Sequence, residues 1–381
     1  MTLALLNLDH DLALASDSDN YLPTARVAKM MADLSMLPLW YCRDTEIVID
    51  GETDEATVAI AEKLGIGCRI STYSRNPAML SETKAMPWGW NKSIARRLAR
   101  AGISNLPAAD RLNGIRRLSS RETSIEMLDK LRHINGTTGQ RWMASDCAVL
   151  ASRQDFIVKS LWSSSGKGLV WNVGHTSKQT IDRVNAELRR HSAFVIEPIY
   201  EGKIADIAME FIIDDNGKCR FIGYSAFETD DKGQYVCNLL GDMAATLIGR
   251  YLPCNLTDDV KASIIDFVEE RFAGVYAGPF GVDMMICRQG DKVLLHPCIE
   301  INLRMNMGIV ALCLTGLMAR ETSGRFTIVH HANGQATRDF DEMMKNKYPP
   351  AISGGRIARG YIALTPVRDD TCHLACMVVG E

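Results

Sequence analysis

Two apolar runs joined by a polar turn, each carrying a carboxylate, constrain this chain more than any other feature. The first is Gly278-Pro279-Phe280-Gly281-Val282-Asp283-Met284-Met285-Ile286 and the turn is Arg288-Gln289-Gly290-Asp291. The second, Val293-Leu294-Leu295-His296-Pro297-Cys298-Ile299, ends in Glu300-Ile301-Asn302-Leu303-Arg304. Both runs read as buried strands, the second despite its proline. Strand side chains alternate between faces, so Glu300, Asn302 and Arg304 share one face while Ile301 and Leu303 share the other. A lone buried carboxylate is costly, so Asp283 must be paired, ligated or protonated. Symmetric pairing about Gly290 sets Asp283 opposite Pro297, so a bulge or a longer turn is needed to bring it to Glu300. A carboxylate, an amide oxygen and a guanidinium are hard groups. Magnesium takes oxygen ligands and completes its shell with phosphates, and arginine suits a remaining phosphate or carboxylate.

Upstream, the short strand Phe156-Ile157-Val158-Lys159 runs into Ser163-Ser164-Ser165-Gly166-Lys167-Gly168, and a second apolar run, Leu169-Val170-Trp171, follows. Small residues let backbone N–H groups approach phosphate oxygens, and lysine adds a point charge. This is not a Walker A loop: Leu161 stands where that motif has its first glycine and Gly168 where it has Ser or Thr. Between the loop and the paired runs lie Phe194–Tyr200, an apolar strand entering a Glu-Pro turn, and Ala208–Ile213, a strand closed by Asp214-Asp215-Asn216-Gly217.

The order of these pieces resembles the ATP-grasp superfamily, the fold of D-alanine–D-alanine ligase, biotin carboxylase and glutathione synthetase, over about residues 116–315. The resemblance implies ATP and Mg²⁺ as cofactors. It implies that Lys159 contacts phosphate, that Ser163, Ser164, Ser165, Gly166, Lys167 and Gly168 form the mobile glycine-rich loop, and that Glu197 to Tyr200, including Ile199, is the hinge holding adenine largely through backbone groups. Asp283, Glu300 and Asn302 match the magnesium ligands, and Arg304, with Lys167, the groups acting on the transferring phosphate or the substrate. The family's earlier lysine is replaced by Ser120-Arg121, with Arg121 able to bind phosphate. For the ribose, Glu201, Asp206 and Glu210 compete, with Asp206 and Glu210 favoured.

The fold class expected is α/β. An N-terminal open α/β domain (1–115) precedes a first ATP-grasp lobe (116–200), a second lobe (201–330) and a short β-rich C-terminal extension (331–381). In the first domain a strand at Leu3–Leu8 leads to a loop at Asp9-His10-Asp11. A helix follows Pro23 through Leu34, with strands near Leu39–Cys42 and Glu46–Ile49 and helices at Asp54–Leu64 and Ser93–Ala101. The loop after the first strand of an open α/β sheet is a ligand position, which makes Asn7, Asp9 and His10 substrate candidates, though a capped, solvated turn has the same composition. In the tail, 359–364 and 373–379 pair as a hairpin around Asp369-Asp370.

A chain of 381 residues exceeds what one core usually supports. A net charge of −3 argues against nucleic acid held by bulk electrostatics, and no apolar run is long enough for a bilayer. The first residues lack the basic region of a signal peptide, and most of the cysteines sit in apolar runs as reduced thiols, so the expected location is the cytoplasm. The resemblance implies a ligase that joins a small-molecule carboxylate to an amine through an acyl phosphate, and a homodimer is common for the fold. Kinase-like phosphotransfer and a non-catalytic nucleotide sensor remain as alternatives.

Overall fold

The N-terminal strands are short and pair in parallel, with Leu3, Ala4 and Leu5 of the first strand buried and the fourth, Lys84–Pro87, alternating exposed and buried residues. A computed structural model of the protein describes residues 2–42, 45–49, 53–67, 69–72, 84–163 and 168–380. It begins with β1 (Thr2–Leu5), α1 (His10–Ser16), α2 (Ala25–Asp33), β2 (Glu46–Ile49), α3 (Glu55–Lys63), β3 (Arg69–Thr72), β4 (Lys84–Pro87) and α4 (Lys92–Arg100). The sheet order is β3-β2-β1-β4, with β1 parallel to β2 and to β4. Asp54 and Asn91 cap α3 and α4 by accepting from Thr57 N and Ile94 N.

Two expectations change here. The strand near Leu39–Cys42 is instead a 3-10 helix, Leu37–Trp40, in which every residue is buried. Pro38 stands at its start, where a missing N–H costs nothing. The loop at Asp9-His10-Asp11 is the start of α1, with Asp9 at the cap position.

Next come α5 (Ala109–Leu118), α6 (Arg121–Leu131), β5 (Trp142–Ala144), β6 (Phe156–Ser160), β7 (Val170–Asn172), α7 (Lys178–His191) and β8 (Phe194–Pro198). These strands form an antiparallel sheet ordered β5-β8-β6-β7. Phe156, Val158, Val170, Phe194 and Ile196 pack with Val184 of α7. By alternation Lys159 and Glu197 point to the other face.

The rest of the chain forms one nine-stranded sheet, ordered β13-β12-β9-β10-β11-β14-β17-β16-β15. Its elements are β9 (Lys203–Ile213), β10 (Cys219–Thr229), β11 (Tyr235–Leu240), α8 (Met243–Tyr251), α9 (Leu256–Arg271), β12 (Gly278–Gln289), β13 (Lys292–Asn302) and α10 (Met307–Thr315), followed by β14 (Gly324–His330), α11 (Gly334–Lys347), β15 (Ala351–Ser353), β16 (Arg356–Ala363) and β17 (His373–Val379). The C-terminal strands thus continue the sheet, and β16 pairs with β17 as the tail hairpin (Gly360 with Val379, Ala363 with Cys376). β13 lies at the edge, where Pro297 removes no ladder bond. On one face Ile207, Met209, Phe211, Val282, Met284 and Ile286 pack against Met127 and Leu128 of α6 and Val260 and Ile264 of α9. Among the described residues no helix is long and apolar enough to cross a membrane.

Candidate active site

The opposite face of β9, β12 and β13 is polar, and the register explains why. From the Gly290 turn the ladder runs Gln289–Lys292 to Met285–His296, then shifts. Met284 alone faces Pro297, Cys298 and Ile299, after which Asp283 pairs with Glu300 and Gly281 with Asn302. This is the bulge that the spacing required. Across the three strands it sets up rows of Asp206–Met285–His296, Ala208–Asp283–Glu300 and Glu210–Gly281–Asn302, all on one face. Asn302 Nδ2 donates to Asp283 Oδ2 at 3.0 Å. A side chain at Gly281 would collide with the Glu210 carboxylate and the Asn306 amide.

Of the residues predicted to contact phosphate, Arg121 and Ser163 reach this face. Arg121, at the start of α6, donates from Nη2 to Glu300 Oε1 (2.8 Å) and from Nη1 to Ser163 Oγ (2.9 Å) and Ser160 O (2.5 Å). One guanidinium therefore ties the first serine of the glycine-rich loop to a predicted metal ligand. Gly168, at the far end of that loop, has φ +82°, a conformation that favours glycine. Ser164, Ser165, Gly166 and Lys167 lie outside the described residues.

Lys159 and Glu197 face each other on the small sheet as a buried ion pair, and Arg141 adds a second cation, Nε to Glu197 Oε2 at 2.8 Å. Burial alone would raise the Glu197 carboxyl, but Lys159 and Arg141 outweigh it and hold it down at about 2. The hinge N–H of Ile199 donates to Asp155 O at 3.1 Å. Of the two ribose candidates, Asp206 accepts from Lys203 Nζ and Thr229 Oγ1, both at 2.8 Å, near the surface. Glu210 is buried on the same face as the acids and accepts from Asn306 Nδ2 and Ser225 Oγ.

Arg304 leaves the strand end and makes a bidentate pair with Asp11 of α1, Nε to Oδ1 at 3.0 Å and Nη2 to Oδ2 at 2.8 Å. Arg304 outweighs burial and holds the Asp11 carboxyl below the usual carboxylate range. His10 lies beside it with Nδ1 3.3 Å from Asn91 Nδ2, and burial pushes its imidazole down to about 4. Asn7 exchanges bonds with the backbone of Gly89, fixing the loop between the two tryptophans, and Asp9 is buried. His10, Asp11, Trp162, Ser163, Glu300 and Asn302 line one cleft.

Asp11, Arg141 and His296 were not singled out as candidates. Asp11 was visible within the acidic stretch, but nothing local distinguishes it from Asp9. Arg141 and His296 sit beside apolar residues and carry no motif.

Electrostatics at the two ends differ in sign. Burial pushes Asp283 up to about 8, and Glu300 and Glu210 add to the rise. Burial likewise lifts Glu210 to about 7. Among the described residues no cluster of three His, Cys, Asp or Glu side chains is placed to hold a metal. Magnesium asks for less: one or two carboxylates, with water and phosphate completing the shell. Two carboxylates and an amide on adjacent strands offer the oxygen ligands that ion takes.

No protein-family model matches the sequence, and comparison with curated proteins finds no match. Solved structures do match. The β-γ-ATP complex of biotin carboxylase from Campylobacter jejuni superposes with a TM-score of 0.53 at 12% identity, over 100% of this chain and 87% of that one. The biotin carboxylase domain dimer of 2-oxoglutarate carboxylase from Hydrogenobacter thermophilus, solved with MgADP, ADP and bicarbonate, gives 0.53 at 9% identity, over 99% and 85%. The ADP complex of an N5-carboxyaminoimidazole ribonucleotide synthetase gives 0.50 at 9% identity, over 100% and 92%. These are ATP-grasp enzymes, and the likeness shows that this chain has the ATP-grasp fold.

Proposed function

We propose that this ATP-grasp chain is an ATP- and magnesium-dependent ligase that joins a small-molecule carboxylate to an amine or comparable nucleophile. The reading rests above all on the Arg121 guanidinium, which bonds the first serine of the glycine-rich loop and Glu300 together while Asp283 stands opposite Glu300. Burying an apolar side chain is worth about 1.5–3 kcal/mol. A sheet face that gives up that gain for acids, an amide and an arginine suits a binding surface. The domain division follows the same reading: 1–115 on the substrate side, 116–200 and 201–330 as the lobes around the nucleotide, and 331–381 as an extension.

In the reaction, a substrate carboxylate oxygen attacks the γ-phosphorus, and the bond to the β–γ bridging oxygen breaks. ADP leaves and an acyl phosphate forms. The nucleophile then attacks the acyl carbon, the carbon–oxygen bond to phosphate breaks, and the amine proton passes to solvent. Little covalent work falls to the protein; it positions the reactants and neutralises charge. Lys159, Lys167, Arg121, Ser163, Ser164, Ser165, Gly166 and Gly168 serve the phosphates. Asp283, Glu300 and Asn302 would hold magnesium, which when bound supplies positive charge against the phosphate oxygens. Arg304 receives the transferring group or the substrate carboxylate. Because Asp11 fills its fork, an incoming anion must displace or share that carboxylate. Asn7, Asp9 and His10 stand on the substrate side.

The test is Mg-dependent ATP turnover in the presence of carboxylate and amine panels, with Glu300→Ala as control. Loss of one preorganised electrostatic contact costs on the order of a hundredfold or more in rate. Glu300→Ala with full turnover would remove the reading. A stable phosphorylated product with no coupled product would turn it into phosphotransfer.

A further inference from the structure

Behind Trp162 lies a second space, separate from the cleft. It is a cavity of about 250 Å³ between the end of α5, the start of α6, Leu161 with Trp162, and Val275 beyond α9. Protein interiors leave few voids larger than a water molecule, and a dry cavity of about 150 Å³ already takes benzene. This one has room for a ring and a short chain. Its floor is apolar: Leu118 and Leu161 are buried, and a side chain at Gly114 would strike Val275.

The charges at the rim narrow the occupant. Arg116, Arg117 and Arg271 line the cavity against Glu122 and Glu126, three cations to two carboxylates. Arg271 donates to Glu126 (Nε to Oε2, 3.0 Å), and Glu122 adds to the negative field around it. Arg116 donates from Nε to Leu14 O at 2.7 Å and lies 3.4 Å from Asp17 Oδ1. Arg117 is exposed, and among the described residues its guanidinium pairs with no acid or other acceptor. A cation without a partner, beside an apolar floor and an indole, suits a carboxylate carried on an apolar or aromatic body. An ammonium would be repelled by that arginine, and a polyanion would have to bring its further charges against Glu122 and Glu126.

The cavity shares a wall with the cleft, because Trp162 lines both. Arg116 covers the indole, its guanidinium 3.9 Å from the ring centre, and the indole Nε1 donates to Arg116 O at 3.0 Å. The next residue, Ser163, is the one that Arg121 ties to Glu300. On its other side Arg116 holds α1, the helix that brings His10 and Asp11 into the cleft. A group pressing on Trp162 and Arg116 from the cavity therefore bears on two walls of the cleft.

We propose that this cavity is an effector site for a small carboxylate with an apolar body, the carboxylate on Arg117 and the body against Trp162. By filling the space behind the indole, the occupant holds Trp162 and Ser163 in place and so tightens nucleotide binding in the cleft. The site stands on the cavity alone; its effect on the cleft rests on the nucleotide-binding reading above.

Calorimetric titration of the full chain with phenylbutyrate, phenylbutylamine and phenylbutanol tests it, three probes of one size that differ in charge. Wild type should bind the carboxylate about tenfold more tightly than either control, as expected for one charge-assisted hydrogen bond. Arg117→Gln should remove that difference, and Val275→Trp, which fills the cavity, should weaken all three probes. Indole emission should change when phenylbutyrate is added to wild type and not when it is added to Trp162→Phe. Saturating phenylbutyrate should tighten Mg-ATP about fivefold, and Mg-ATP should tighten phenylbutyrate by the same factor. Equal affinity for the three probes, no binding of any, or an unaltered preference in Arg117→Gln overturns the site. Should Val275→Trp fail to fold, Arg117→Gln decides, since an exposed side chain without a partner carries little of the fold. Mg-ATP affinity that phenylbutyrate leaves unchanged overturns the effector role. A wild type that binds phenylbutyrate through Arg117 but binds no nucleotide upholds the site and defeats the ligase reading instead.

Discussion

The two ends of the cleft are opposites. At the bulge end Asp283, Glu300 and Glu210 share one sheet face, and burial drives the Asp283 and Glu210 carboxyls up. At the hinge end Lys159 and Arg141 share one carboxylate, which is driven down, and donors are left over. One end is rich in carboxylates and the other gathers two cations around a single carboxylate. On the ligase reading proposed above, the carboxylate end is where magnesium would sit, and the contrast between the two ends says more about function than either end alone.

Turnover is the largest effect by which to break this contrast: Glu300→Ala should lower it on the order of a hundredfold or more, read as Mg-dependent phosphate release. Stability comes next. Glu197→Gln would leave Lys159 and Arg141 as buried cations without a counter-charge, and denaturant unfolding should report a loss of about 3–5 kcal/mol. The pH dependence should then have opposite signs at the two ends. Glu197 titrates at about 2 when folded against an ordinary 4.5, so its contribution is complete above about 4.5 and is lost as pH falls toward 2. Glu210 titrates at about 7 and Asp283 at about 8 against ordinary values of 4.5 and 3.8, so in metal-free protein their contribution is lost as pH rises through 7 and 8. Melting curves from pH 5 to 9 should show a decline that Glu210→Gln reduces and that added Mg²⁺ offsets. An unchanged decline in Glu210→Gln would mean that this acid is not protonated in the fold. The smallest effect belongs to a pair outside the cleft: Lys84 and Asp215 are both exposed, 3.1 Å apart, and Lys84→Met should change stability by less than about 0.5 kcal/mol. A larger change there would show that surface pairs matter as much as the cleft.

The alternation of Glu300, Asn302 and Arg304, the strand–loop–strand around Lys159 and the need for a bulge before Asp283 were all legible in the sequence, because period and turn chemistry are local. The helix of α1 and the 3-10 turn at Leu37–Trp40 were not, because short segments take their conformation from the packing that buries them. Asp11 shows the same limit more sharply. Its role depends on meeting Arg304, which lies at the far end of the chain in sequence and beside it in space.

By itself, then, the sequence determined which residue types share a face and where the chain must turn, since those follow from backbone geometry within a few residues. Only the tertiary structure decided that Arg121 would clasp Ser163 to Glu300, that Asp11 would occupy Arg304, and that Arg141 and Lys159 would share the buried Glu197 carboxylate. Hydrogen bonds and charges act at short range in space, and distances along the chain do not reveal which groups will come within that range.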